Sequence, residues 1–331
     1  MNSPLVSVLI NNHNYGRFLN QAIDSLLNQT YPAIEIIVVD DGSTDNSHAV
    51  IERYGCQIIS VLKQNGGQDS AFNAGFKRSR GDIICFLDAD DVFTSEKVEK
   101  VVERFQAFPD TEWCFHSLLL KDPHTGQPLG RTRAFPAVEQ DVSICCDFRS
   151  NMRWGRLPFY PASTSGLCFR RTLLNKILPM PETFIKTSAD RYLRIAAMGL
   201  APGYYLAEDL TIQGIHGNNV STLNKRRPFL IERQLVSCYL LRARFPQLAH
   251  YTNRMFVRGL CAYHKLESAN RESEYAEFIA KYWQLCSPLD RIIISLLLFY
   301  HSRPWRKEYS FRMVKPEVAK KREPVLVEQT P

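Results

Sequence analysis

The N-terminal part of the chain repeats a short apolar strand, a polar turn and a helix, and this alternation constrains the fold most strongly. After the first strand, apolar residues recur at helical spacing from Phe18 to Leu27. The strands are rich in Ile and Val without polar alternation, which is typical of a parallel sheet covered on both faces. We therefore predict an α/β fold, a Rossmann-like, doubly wound and mostly parallel sheet. The predicted strands are Val6–Ile10, Ile34–Val39, Gln57–Leu62 and one that ends at Asp88.

Polar or acidic residues follow each predicted strand. In open α/β sheets ligands bind beyond the carboxyl ends of the strands, so these loops are expected to line one site. Neither a Gly-x-Gly-x-x-Gly fingerprint after the first strand nor a P-loop motif occurs. Because the loops are acidic rather than basic, we expect a nucleotide whose phosphates are met by a metal ion. The loops are Asn11–Tyr15, Asp40-Asp41, Asn65–Gln68 and Asp88–Asp91.

Asp88 and Asp90 are separated by one small residue at the end of an apolar strand. Strand spacing lets the two carboxylates project together, and hard oxygen ligands suit Mg²⁺ or Mn²⁺ shared with a phosphate. Acidic residues that cap the next helix are the ordinary alternative. A calcium loop with Glu99 as its last ligand is excluded, because Phe93 stands where that loop requires glycine.

An ordered series of short motifs resembles the family 2 inverting glycosyltransferases with the GT-A fold. The motifs are Val6–Ile10, Asn14–Phe18, Gln29–Pro32, Val38–Asp45, Asn65–Gln68, Asn73–Gly75 and Leu87–Asp91. The resemblance implies a donor site in which Asp40 holds the base or ribose while Asp41 and Ser43 shape the loop. It places Asp88 near the ribose and metal, and makes Asp90 the ligand of Mn²⁺ or Mg²⁺. The first loop departs from the family pattern at Asn11 and His13, and we interpret His13 as a surface or loop variant, with an altered contact to the base as the alternative.

The resemblance also implies a catalytic base and a further metal contact in the second half of the chain. Asp190 takes the position of the base, although Ala189 replaces the acidic residue that usually precedes it. The alternative is structural: Ser188 caps a helix and Asp190 lies in its first turn. A base needs a pKa near neutrality, which a shielded helix start permits. His216 is the expected metal or diphosphate contact, with a hydrogen-bonded loop histidine as the equal alternative.

The candidate site residues therefore fall into three groups. The catalytic candidate is Asp190, and the metal candidates are Asp88, Asp90 and His216. The candidates for donor binding are Asn14, Asp40, Asp41, Ser43, Gly67, Gln68 and Asp88.

Charge is distributed unevenly along the chain. Residues 225–331 hold 20 Lys and Arg against 10 Asp and Glu, whereas residues 1–224 carry a net charge of −3. We predict a GT-A catalytic domain over 1–224, with a nucleotide-sugar half (1–110) and an acceptor half (111–224). A basic helical extension over 225–316 and a disordered tail over 317–331 follow. The apolar run Arg291–Tyr300 is too short to span a bilayer. It is expected either to pack on the catalytic domain or to lie in a membrane interface beside its basic flank.

The predicted function is transfer of a sugar, with inversion, from a nucleoside-diphosphate sugar such as a UDP-sugar to a glycan or lipid-linked acceptor. The alternative is an inactive nucleotide-sugar-binding or membrane-surface module. A nucleotidyltransferase would need a glycine-rich basic loop that Asn11–Gly16 does not provide. No nucleic-acid motif accompanies the basic region, so we expect no nucleic-acid partner. Nine cysteines without a Cys-x-x-Cys pair favour a reduced, cytoplasmic chain, with peripheral contact at the inner membrane face as an option.

Overall fold

The structure is a computed structural model that describes residues 3–122, 125–132, 143–157, 163–182, 188–216, 227–264 and 273–301. The predicted tail, 317–331, and the predicted boundary at residue 224 lie outside these ranges. Within the described residues, all nine cysteines are free thiols. No described helix is both long and apolar enough to cross a membrane.

The first half of the chain forms the predicted strand–helix alternation. Its strands pair in parallel in the order β3-β2-β1-β4. The helix α1 buries Leu19, Ala22, Ile23 and Leu26, the spacing expected of an amphipathic helix. The elements are β1 (Val6–Asn12), α1 (Gly16–Leu27), β2 (Ile34–Asp41), α2 (Ser47–Tyr54), β3 (Ile59–Lys63), α3 (Gly67–Arg78) and β4 (Ile83–Asp88). The third strand begins at Ile59 rather than at Gln57, because Gly55–Gln57 forms a 3₁₀ turn.

The second half extends the same sheet with mixed pairing, in the order β4-β9-β6-β10-β5. β9 is antiparallel to both β4 and β6, whereas β6 and β10 are parallel. β7 adds to β6 and β8 adds to β10. The elements are β5 (Asp91–Phe93), α4 (Lys97–Ala107), β6 (Trp113–Lys121), β7 (Pro128–Arg131), β8 (Ile144–Cys146), α5 (Arg149–Arg153), β9 (Leu167–Arg170), α6 (Arg171–Ile177), α7 (Ala189–Leu200) and β10 (Gly203–Gly214).

Within the described residues, the predicted helical extension forms four helices. They are α8 (Arg227–Arg244), α9 (Ala249–His264), α10 (Ser273–Gln284) and α11 (Pro288–His301). Leu235, Phe256 and Tyr282 of these helices belong to the same buried cluster as Phe169 of the sheet. The extension therefore packs on the sheet domain through shared apolar burial.

Successive residues of the parallel strands point to opposite sheet faces, which separates two cores. Val6, Val8 and Ile10 pack in the cluster with α1, α2 and α4. Leu9 packs on the other face, in the cluster that includes α3, α6 and α7. Asn11, Asn12, Asp40, Asp41 and Asp88 lie at the carboxyl ends of these parallel strands. The α/β prediction is confirmed, and the antiparallel strand β9 brings the loop before it to that edge.

Candidate active site

Two consecutive asparagines at the end of β1 tie the carboxylates of the neighbouring strands together. Asn11 is the register partner of Asp88 on β4, and Asn12 is the register partner of Asp40 on β2. The Asn11 amide donates to Asp88 Oδ1 over 3.0 Å, and the Asn12 amide donates to Asp40 Oδ1 over 2.7 Å. Successive strand side chains lie on opposite faces of the sheet, so Asn11 meets Asp88 on one face and Asn12 meets Asp40 on the other.

Asp40 is fully buried, with 0% exposure. Besides Asn12, its carboxylate accepts the backbone N–H of Ser43 at 3.0 Å and lies 2.8 Å from His48 Nε2. Burial acts to raise the pKa of Asp40, but hydrogen bonds from Ser43, Asn12 and His48 outweigh it and hold the pKa below its usual value. Asp40 is therefore an anion that organises the loop after β2, and its predicted contact with a nucleoside stays a prediction.

The Asp41 carboxylate caps the N-terminus of α3. Its carboxylate accepts the backbone N–H groups of Gly66 and Gly67 at 2.9 and 2.7 Å and pairs with Lys63 Nζ at 2.6 Å. A carboxylate at a helix N-terminus satisfies backbone donors and favours the helix dipole. Gly67 has φ of 84°, a conformation that favours glycine. In this structure the Gly67 N–H is bonded to Asp41. The predicted contact of Gly67 with the sugar-nucleotide donor stays a prediction.

Asn14 joins the loops after β1 and β2. Its Oδ1 accepts the Thr44 N–H at 2.7 Å, and its own N–H donates to Ser43 Oγ at 2.8 Å. Asn14 has φ of 60°, which asparagine tolerates better than most residues. His13 is exposed and its Nδ1 lies 2.9 Å from the carbonyl oxygen of Asp41, as expected of a surface loop residue.

Asp88 and Gln68 lie together at the centre of the edge. Gln68 Nε2 donates to Asp88 Oδ1 at 3.2 Å and lies 3.4 Å from Thr164 Oγ1. Burial, the negative charge of Asp90 and, more weakly, that of Asp190 raise the pKa of Asp88 to about 7. A carboxylate pair that repels in this way is stabilised by a cation between its members.

Asp90 lies against His216, with 3.0 Å between Oδ2 and Nε2. The His216 ring is buried and stacks on Phe18 at 4.8 Å between centroids, which fixes its orientation. Burial raises the pKa of Asp90, while His216 opposes that shift. The structure thus pairs two of the predicted metal candidates, Asp90 and His216, and the charge of Asp90 acts on the third, Asp88.

Ser165 holds the Asp88–Asp91 loop from the side of β9. Its Oγ accepts the backbone N–H of Asp88 at 3.0 Å and donates to Asp91 Oδ2 at 2.5 Å, so one hydroxyl bridges both ends of the loop. The Ser165 carbonyl accepts Lys97 Nζ at 2.8 Å and Thr211 Oγ1 at 3.0 Å. Ser165 and Lys97 are completely buried. This interior network sets where the loop can lie.

Asp190 lies in the first turn of α7, as predicted. The Ser188 hydroxyl and the Arg191 N–H each donate to Oδ1 at 2.7 Å, and Arg194 Nη2 lies 3.3 Å from Oδ2. Ser188 occupies the N-cap position, but its hydroxyl bonds to Asp190 rather than to the helix backbone. Burial favours a raised pKa, yet Arg194, Ser188 and Arg191 hold the pKa of Asp190 below its usual value. The expectation of a near-neutral base is therefore wrong: Asp190 is ionised at neutral pH.

The donor set fits a metal ion only in part. No group of three or more His, Cys, Asp or Glu side chains within the described ranges is arranged to hold a metal ion by itself. Asp88 and Asp90 nevertheless form a partly buried, mutually repelling pair, which a divalent cation would neutralise. Mg²⁺ is commonly held by one or two carboxylates and completed by substrate phosphates. The residues present suit such a shared site.

Residues 7–118 match the family model described as Glycosyl transferase family 2. The chain belongs to glycosyl transferase family 2. The matched segment contains β1 to β4 and the Asp88–Asp91 loop, so the predicted family resemblance is confirmed.

Relatives of this family 2 chain include uncharacterised glycosyltransferases from several bacteria. The chain is 36% identical over 218 residues to one from Nostoc sp., covering 65% of this chain and 66% of the relative. It is 34% identical over 145 residues to one from Rickettsia prowazekii, covering 43% and 46%. The chain thus spans less than two thirds of the length of these relatives.

Solved structures share the fold at low sequence identity. Staphylococcus aureus TarS residues 1–349, crystallised with UDP-GlcNAc, superposes with a TM-score of 0.62 at 17% identity. The match covers 90% of this chain and 87% of TarS 1–349. The shared fold therefore extends beyond the segment matched by the family model and includes most of the second half.

Several residues that organise the site were not among the sequence candidates. They are Asn11, Asn12, His48, Lys63 and Ser165. A signal existed for the asparagines, since two amides that end a buried strand lie on the two faces of the sheet, level with the acidic ends of the neighbouring parallel strands. Ser165 carried no comparable signal, because its contacts with Asp88 and Asp91 span 77 and 74 residues.

Proposed function

We propose that the protein is a metal-dependent inverting glycosyltransferase that moves a sugar from a nucleoside-diphosphate sugar to an acceptor hydroxyl. The observation that carries the proposal is the position of Asp190. Its negative charge contributes to the raised pKa of Asp88, although the two residues come from different halves of the chain. A candidate base thus lies beside the candidate donor site, as a single displacement requires.

The residues take complementary roles in this proposal. Asp88 and Asp90, with His216, would hold Mn²⁺ or Mg²⁺, which neutralises charge on the leaving diphosphate. Asp40, Asp41, Ser43, Asn14, Gly67 and Gln68 shape the donor side. Asp190, ionised and held by Arg194 and Ser188, accepts the proton of the acceptor hydroxyl. The acceptor oxygen then attacks the anomeric carbon from the face opposite the diphosphate, which inverts its configuration.

We further propose a UDP-sugar as donor and a glycan or lipid-linked molecule as acceptor. The UDP preference rests on the family resemblance and on a shared fold with TarS, whose crystal structure contains UDP-GlcNAc. Polysaccharide biosynthesis in the cytoplasm, with peripheral contact at the inner membrane face, is the setting that suits such an acceptor and the basic C-terminal region.

The experiment is calorimetric titration of the purified protein with UDP, GDP and their sugars, with and without Mn²⁺, followed by assays of diphosphate release. Two results together would support sugar transfer. The native protein should bind one nucleotide in a metal-dependent way, and its release of nucleoside diphosphate should be abolished in Asp190→Asn. In that variant, binding should persist because the donor residues are unchanged.

Binding without release in the native protein would favour the alternative, an inactive nucleotide-sugar-binding module. If none of the nucleoside diphosphates binds in the presence of Mn²⁺, both functions are contradicted. Asp82→Asn, which changes an exposed carboxylate at the opposite end of β4, is the matched control.

A further inference from the structure

An arginine with no role so far lies at the carboxyl ends of the parallel strands. Arg17 is the second residue of α1, the helix that follows the loop after β1. This helix begins where the strands end, so its first turn lies on the side of the acidic loops. Arg17 is exposed, and within the described residues its guanidinium makes no hydrogen bond and no ion pair. Its N–H donors are therefore available to a ligand.

Ring packing holds Arg17 beside the pair formed by Asp90 and His216. The guanidinium carbon of Arg17 lies 4.4 Å from the centroid of the Phe18 ring. Phe18 stacks on His216 at 4.8 Å between centroids, and His216 Nε2 lies 3.0 Å from Asp90 Oδ2. Successive contacts thus join the guanidinium to a candidate metal ligand. A guanidinium that rests on an aromatic ring keeps the N–H donors at its edge free to bind an anion.

The positive charge of Arg17 acts on the same acidic site. Burial raises the pKa of Asp90, whereas His216 and Arg17 oppose that shift. Burial and the charges of Asp90 and Asp88 raise the pKa of Tyr15 to about 12, and Arg17 again opposes the shift. The guanidinium is therefore within electrostatic reach of Asp90, although the carboxylate is paired with His216 instead.

The proposed transfer needs positive charge at this place. Asp88 and Asp90 repel each other, and the diphosphate of a bound donor would add negative charge to theirs. One divalent ion shared by two carboxylates and a diphosphate leaves part of that charge unbalanced. Arginine suits the remainder, because its guanidinium can donate two parallel N–H bonds to phosphate oxygens.

We propose that Arg17 binds the diphosphate of the nucleotide-sugar donor beside Asp90 and stabilises the departing nucleoside diphosphate. The bond between the anomeric carbon and the phosphate oxygen breaks, and its electron pair stays on that oxygen, where Arg17 meets the developing charge. The acceptor oxygen forms the new bond to the anomeric carbon, and its proton goes to Asp190. The inference rests on the proposed transferase function and adds a cation of the protein itself to the donor site.

The test is calorimetric titration of the full chain with UDP and uridine, and with GDP and guanosine, in the presence of Mn²⁺. The nucleoside diphosphate that the native protein binds more tightly is then compared with its own nucleoside. Arg17→Gln should bind this diphosphate about 10- to 100-fold more weakly, the usual effect of losing a hydrogen bond to a charged group, and the nucleoside equally well. Arg17→Lys keeps the charge without the paired donors, so its affinity should lie between the two.

Turnover gives a second measurement. At saturating donor, Arg17→Gln should lower kcat by about 10²–10³, because the arginine acts on charge that develops as the bond breaks. Arg53→Gln is the matched control, since Arg53 is also exposed but lies in the last turn of α2. It should leave both affinity and kcat unchanged, and thermal unfolding checks that all variants fold.

Several outcomes would overturn the inference and leave the transferase proposal standing. Equal affinity of the native protein and Arg17→Gln for the diphosphate is one, and an unchanged kcat at saturating donor is another. Equal losses for the diphosphate and the nucleoside would mean that Arg17 shapes the nucleoside site instead. If the native protein binds neither UDP nor GDP, the proposed function and this inference fail together.

Discussion

The imidazole Nε2 of His216 lies 3.0 Å from Oδ2 of Asp90, although 126 residues separate them in the sequence. The contact joins the end of the last sheet strand to the loop after β4. It brings an imidazole to a carboxylate whose pKa is raised by burial. The assignment of this pair to the metal site stays a proposal.

Replacing Asp90 by Asn should weaken Mn²⁺-dependent UDP binding by more than about 100-fold, since changes to the partners of metal ligands alone cost 10–100-fold. Stability without metal should be unchanged or higher, because the substitution removes repulsion between Asp90 and its neighbours Asp88 and Asp91. Calorimetry and thermal unfolding measure the two effects. Native-like metal dependence in the variant would remove Asp90 from the metal site.

Ser165→Ala should destabilise the protein by about 1–3 kcal/mol, because it leaves the buried Asp91 carboxylate without that hydroxyl donor. It should also weaken metal-dependent nucleotide binding, since the Asp88 N–H loses its acceptor. Urea unfolding gives the free energy. Ser60→Ala, at an exposed position on β3, should change it by less than about 0.5 kcal/mol. If Ser165→Ala and Ser60→Ala changed the free energy of unfolding equally, the proposed role of the Ser165 hydroxyl between Asp88 and Asp91 would be contradicted.

Asp190→Asn should lower kcat by about 10²–10⁴, the usual contribution of a general base, with little change in donor affinity. Arg194→Gln tests the same assignment through pH. Because Arg194 helps to hold the pKa of Asp190 low, its removal should move the acid limb of the kcat profile to higher pH. Arg78→Gln, exposed at the end of α3, should leave the profile in place. An unmoved acid limb in Arg194→Gln would assign the limb to another group.

Asp290 should stabilise the helical extension in a pH-dependent way. Burial acts to raise its pKa, but bonds from Ser287, Asn253 and Arg242 lower the pKa of Asp290 to about 2. Since the folded pKa lies below the unfolded value of 3.8, the stabilisation is present above about pH 4 and is lost as pH falls toward 2.

The free energy of unfolding of Asp290→Asn should therefore be lower than that of the native protein by at least about 2 kcal/mol at pH 7, and nearly equal to it near pH 2. Urea unfolding of both proteins from pH 7 downward measures the difference. A constant difference across that range would show that the carboxylate charge is not responsible.

Much of the fold and the chemical character of the site follow from local pattern. Helical spacing after β1 and apolar runs in four strands are properties of neighbouring residues, so α1 and the parallel half were predictable. The gathering of Asp40, Asp41 and Asp88 at one edge follows from parallel pairing alone. The position of the antiparallel strand β9 between β4 and β6 was harder to predict from the sequence, because it depends on contacts between distant segments.

The sequence by itself determined which residue types end each strand, and therefore that acidic side chains gather at the carboxyl edge. Tertiary structure decided which partners those residues have. Ser165 reaches Asp88 and Asp91 only because β9 inserts beside β4, and the pKa of Asp190 is low because the partly buried Arg194 lies one helical turn away. The same holds for α11, where Leu289, Ile292 and Leu296 are exposed because Asp290 is anchored inward. Charge and exposure depend on the full set of neighbours in space, and strand register and helix packing supply most of those neighbours from distant parts of the chain.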